Sequence, residues 1–109
     1  MGADSVVVFY GLRIILDQDD IEAAEAGDHP YVVAAQRVGL QTYWDRESET
    51  KPYFLMIGHR LAWLGPEHHT QMALDRSKVT ELMEDVQRKL SLMGARDTPQ
   101  LHLQYKFDE

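Results

Sequence analysis

A chain of 109 residues has room for a single hydrophobic core, and its content of 44% hydrophobic and 27% charged residues is that of an ordinary globular domain. With 18 acidic residues against 11 basic ones and a formal net charge of -7, it is a poor generic binder of nucleic acid, whose phosphates need clustered Lys and Arg. The chain has no cysteine, which excludes a disulfide framework and a thiolate metal site and suits a reducing compartment, so a cytoplasmic location is expected.

Residues 5–16 are rich in Val, Ile, Phe and Tyr and read as a strand. Both alternating faces are mainly apolar, which predicts an internal strand covered on both sides by helices, a second layer or a partner chain. The stretch is far too short to span a bilayer and no basic segment precedes it, so neither a membrane span nor a signal peptide is expected. Gly11 predicts a bulge or a close backbone approach. Arg13 is the lone charge here. A guanidinium among apolar residues needs an acceptor, which makes Arg13 a candidate anchor for an anionic ligand, against the simpler expectation of an internal partner.

The acidity of the chain is concentrated in residues 17–28. Asp17, Asp19, Asp20, Glu22, Glu25 and Asp28 lie there with no base among them, and setting these six aside leaves 12 acids against 11 bases. Confined charge of this kind suits a docking patch for a basic protein surface. It equally suits a solvated helix face whose acids cap a helix start. A calcium loop fits less well: counted from Asp17, position six is Glu22 where an EF-hand needs glycine, and position twelve is Asp28 where it needs glutamate. Asp19 or Asp20 is placed to cap a short helix over 21–26 that Gly27 stops. Pro30 then opens a second short helix to about Val38, with Gly39 at its end.

Residues 40–44 and 52–58 read as two strands joined by a charged loop. Gly58-His59-Arg60 reads as a tight turn into a further short strand over 61–64, ended by Gly65-Pro66. Residues 70–74 read as a short strand or an extended lead-in. Tyr43, Trp44, Tyr53 and Trp63 in this region are candidates for binding anchors, with sheet core the favoured reading. Glu67-His68-His69 has zinc-ligand types, but neighbouring side chains point apart, and there is no HExxH pattern. His59 beside Arg60 is the obvious acid–base trial set. No nucleophile elbow or phosphate-binding glycine loop accompanies it, so an enzyme is not the expected reading and no cofactor is expected.

The clearest helix runs over 75–93. Val79, Leu82, Met83, Val86, Leu90 and Met93 make one apolar stripe, Asp75 or Ser77 is placed to cap it, and Gly94 follows. Leu101, Leu103, Tyr105 and Phe107 alternate with Gln100, His102, Gln104 and Lys106, which predicts a last strand with a buried apolar face and a wet polar one.

These elements predict a single α+β domain over 1–109. Its antiparallel sheet has four to five strands, with two short helices after the first strand and one long C-terminal helix packed on a face. The functional expectation is a non-enzymatic cytoplasmic protein-binding or regulatory domain, of immunity or inhibitor type, that meets a basic protein partner through the acidic segment. One alternative is a homo-oligomeric structural domain, a homodimer whose sheet completes across a twofold axis through its regular last strand. Another is a small-molecule binder or small enzyme with Arg13 or the histidines in a pocket. No direct nucleic-acid or membrane contact is expected.

Overall fold

The computed structural model describes residues 4–46 and 48–106. The chain runs β1 (Ser5–Leu16), α1 (Gln18–Ala26), α2 (Pro30–Val38), β2 (Gln41–Arg46), β3 (Tyr53–Leu64), α3 (Arg76–Leu92) and β4 (Gln100–Lys106). The strands form one antiparallel sheet in the order β2-β3-β1-β4. Each helical crossover skips one strand, so the two long strands β1 and β3 lie side by side in the middle: the split βαβ arrangement.

This architecture corrects the expected one. The described sheet has four strands, the lower of the four to five expected, because residues 58–64 continue β3 where a turn and a separate strand were expected, and residues 70–74 join no strand. Nor are there two independent short helices. Residues 18–38 form one helical arm of 21 residues, bent at 27–29. Gly27 turns left-handed at φ 77° and gives its N–H to the Ala23 and Ala24 carbonyls. Asp28 and His29 also bond back to Ala23, and His29 then caps the next turn by accepting from the Tyr31 N–H. The bend is thus a left-handed cap at Gly27 followed at once by a side-chain cap at His29. The long helix expected towards the C-terminus is α3, and a last strand, β4, follows it in the expected order. Phe107, expected in the last strand, lies outside the described residues.

The helices all pack on one face of the sheet. Tyr10, Leu12 and Leu16 of β1 with Leu55 and Ile57 of β3 meet Ile21 and Ala24 of α1, Val32 and Ala35 of α2, and Val86 and Leu90 of α3. Each aliphatic side chain buried there stabilises the fold by about 1.5–3 kcal/mol. The small Ala24 and Ala35 let the arm lie close to the strands.

Among the described residues no helix lies over the other face, yet Val7, Phe9, Phe54 and Met56 are fully buried there. The sheet covers them by coiling on itself. Gly11 faces Gly58 across the central pair, and a Cβ at either would stand 2.0 Å from a carbonyl oxygen of the opposite strand, Ile57 or Tyr10. A bulge follows one turn of the ladder away: Phe9 pairs with Arg60 and Val8 with Ala62, leaving Leu61 as the extra residue. Paired glycines and bulges are the devices that bend long strands sharply. The bend brings opposite corners together, so that Asp45 on one edge strand and Lys106 on the other come within 3.8 Å.

β4 pairs with the first half of β1, Ser5–Gly11. Leu101, Leu103 and Tyr105 oppose Tyr10, Val8 and Val6, so they face the helix layer. His102 and Gln104 oppose Phe9 and Val7 on the coiled face. The helices pack mainly on β1, β2 and β3, and none packs comparably on β4. The apolar row, expected to be the buried face of this strand, is therefore its exposed face, with Leu101 56%, Leu103 68% and Tyr105 46% exposed.

Candidate binding surface

Beside that row the missing cover leaves a groove of about 580 Å³ between the sheet and the first half of α3. Val8 and Tyr10 of β1, Leu61 of β3, Val79 and Met83 of α3 and Leu101 of β4 line it. Met72 and Leu74, in the extended lead-in to α3, form part of its lining and are half-exposed. The lining is almost wholly apolar. Gln100 is the polar side chain at its edge, and the Tyr10 hydroxyl already accepts a bond from Gln87 Nε2 at 3.0 Å. Size and lining are those of a binding site rather than of a packing flaw, and the exposed row extends it to the sheet edge.

Arg13 lies away from this groove, on the coiled face. Its guanidinium sits 4.5 Å from the centre of the Phe54 ring, a cation–π contact. Around it the charges and rings satisfy one another. The Tyr43 hydroxyl donates to Asp45 Oδ2 at 2.7 Å, and Asp45 faces Lys106. Burial first, and then the bond to Asp45, push the Tyr43 hydroxyl far above its ordinary range, so it stays protonated. Trp63 donates to Ser5 Oγ at 2.8 Å, with His68 stacked on it at 4.5 Å and the cations of Arg60 and Lys106 each 5.3 Å from its ring centre. Two of the four aromatic residues singled out from the sequence, Tyr43 and Trp63, thus belong to this coiled face, while Trp44 and Tyr53 pack on the helix side.

The six acids divide by role. Asp17 caps α1, accepting from the Asp20 N–H at 2.9 Å. Asp20 is half-buried and lies 3.7 Å from Nε2 of the buried His29. Asp19, Glu22, Glu25 and Asp28 are solvent-exposed along the arm. The arm leaves the far end of β1 from the part that pairs with β4, so the acids and the apolar row occupy opposite ends of that strand.

The histidines do not converge. Strand alternation puts His59 on the helix side, opposite Tyr10, and Arg60 on the coiled face, opposite Phe9, which dissolves the acid–base trial set. Burial, then the positive charge of Lys89, lower the His59 pKa below its ordinary 6.5, with Asp85 acting the other way. His68 stacks on Trp63, while the backbone of His69 bridges to Leu64. His102 is tied to the Gly11 carbonyl at 3.1 Å. Among the described residues no three His, Asp or Glu side chains gather as a metal ion would require. Compared with protein-family models, with curated proteins and with solved structures, the chain matches none.

The groove was hidden in the sequence because its residues are ordinary core formers. The one visible sign was the strict alternation of residues 100–107, which marks a strand with two unlike faces but not which face the helices leave bare.

Proposed function

We propose that the protein is a non-enzymatic binding domain that docks a protein partner on the apolar row of β4 and the adjoining groove. The observation that carries this reading is the exposure of Leu101, Leu103 and Tyr105 in one row beside an apolar groove of about 580 Å³. Contiguous apolar surface rimmed by polar residues marks interaction sites in soluble proteins. The scattering of the histidines and the mutual pairing on the coiled face argue against catalysis, since titratable groups must converge to act together. A cytoplasmic setting fits the cysteine-free chain, and no described helix is long and apolar enough to cross a membrane.

The exposed acids of the arm support a second, electrostatic docking site for a basic partner, as an immunity or inhibitor-type domain would use. Capture by the tagged protein, with its own untagged copy counted among the partners, separates the two. Leu101→Lys with Leu103→Lys is expected to abolish capture, and Asp19→Asn with Glu22→Gln and Glu25→Gln to preserve it. The reverse pattern would move the docking site to the arm.

A further inference from the structure

We infer that the partner is a second copy of this chain, and that two β4 strands pair antiparallel across a twofold axis at Leu103, joining two four-stranded sheets into one. This rests on the reading of β4 as the docking surface.

Four observations favour this occupant. The first is the bareness of the edge. Sheets block unwanted edge pairing with charges, proline or bulges. Six-residue β2 carries Asp45 and Arg46 at its edge, whereas seven-residue β4 carries only Lys106, at its last position and drawn onto the coiled face by Asp45 and Trp63.

The second is register. A twofold axis perpendicular to the sheet keeps both helix layers on one side and sets apolar residues against apolar residues only when it passes through a residue position. Centred on Leu103, the whole strand pairs: Leu103 meets its own copy, Leu101 meets Tyr105, His102 meets Gln104 and Gln100 meets Lys106. Aliphatic and aromatic side chains directly opposite stabilise a ladder, and no two like charges meet. Centring on His102 leaves Tyr105 and Lys106 unpaired. Centring on Gln104 leaves Gln100 and Leu101 unpaired and sets Lys106 against His102.

The third is area. The exposed parts of Leu101, Leu103 and Tyr105 amount to roughly 300 Å² on each copy, apolar surface that the ladder sets side by side across the axis in addition to its backbone bonds. The fourth is charge. The acidic arm leaves the end of β1 remote from β4, so a twofold axis at Leu103 turns the two arms outward and apart.

The absence of native cysteine makes a single introduced thiol diagnostic. Opposite Cβ atoms in paired strands lie about 4.5–5.5 Å apart, close to disulfide reach. Under mild oxidation Leu103→Cys is expected to form a covalent dimer far faster than Leu92→Cys. The two sites are equally exposed, at 68% and 67%, but Leu92 ends α3, away from β4. In sedimentation the wild-type chain is expected to dimerise with rising concentration. Leu103→Lys should raise the dissociation constant roughly thirtyfold or more while keeping the wild-type circular dichroism. A wild-type chain monomeric up to its solubility limit, or Leu103→Cys cross-linking no faster than Leu92→Cys, would overturn the proposal. Should Leu103→Lys misfold, the wild-type sedimentation and the cross-linking rates decide alone. A monomer whose Leu103→Lys variant still loses a different captured protein would overturn the self-pairing and leave the docking surface standing. Loss of neither would remove both.

Discussion

A methyl group added at Gly11 would stand 2.0 Å from the Ile57 carbonyl oxygen, a collision with backbone that no side-chain rotation relieves. Gly11→Ala is therefore expected to destabilise the fold by about 3 kcal/mol or more in urea unfolding. Gly27→Ala is the contrasting case. Its Cβ would meet nothing within 4 Å, so only the left-handed backbone is penalised, at about 1 kcal/mol. Equal losses at the two sites would count against the close approach. Gly11 was legible in the sequence as such a position, but its counterpart Gly58 read as a turn. A local window shows that glycine is permissive and not which strand will press against it. His59 carries a pH signature with a definite sign. Above pH 6.5 the folded and unfolded states both hold it neutral. As pH falls below 6.5 the unfolded chain takes up a proton that the half-buried, Lys89-facing ring resists, so stability falls. Melting temperatures from pH 7 downward should show a smaller acid loss for His59→Gln than for wild type, and parallel curves would refute this role.

At the scale of elements, period and caps were legible, and partners were not. The helix expected over 75–93 spans Arg76–Leu92, capped by Asp75 accepting from Lys78 N–H, and the first strand spans Ser5–Leu16 as read. The alternation of β4 was equally plain. Its apolar face was assigned to the core because alternation implies one buried side, yet burial depends on whether a helix arrives there, and the layer ends over β1. Conversely, the doubly apolar β1 correctly announced cover on both sides, but the second cover is the coiling of the sheet itself, encoded in two glycines and a bulge too far apart in sequence to read together. The acidic arm shows the same limit: composition located it, while geometry separates a capping Asp17 from solvated neighbours. Asp17→Ala should cost about 1 kcal/mol of stability, and Glu25→Gln should stay within about 0.5 kcal/mol of wild type. Matching losses in chemical denaturation would mean that the arm acts as one structural unit.

For the whole molecule, an apolar edge and an acidic arm at opposite ends of β1 make opposite demands on salt. Two chains of formal charge -7 repel at long range, and salt screens that repulsion while leaving apolar contact intact. A partner held by the acids would instead be released as salt rises. The direction of the salt effect therefore reports which surface does the binding. The most direct measurement is the sedimentation of the wild-type chain across a concentration series at low and at high salt. Pairing through β4 predicts a dimer whose dissociation constant falls as salt is added. A chain that stays monomeric in both, or a complex that loosens with salt, would contradict it.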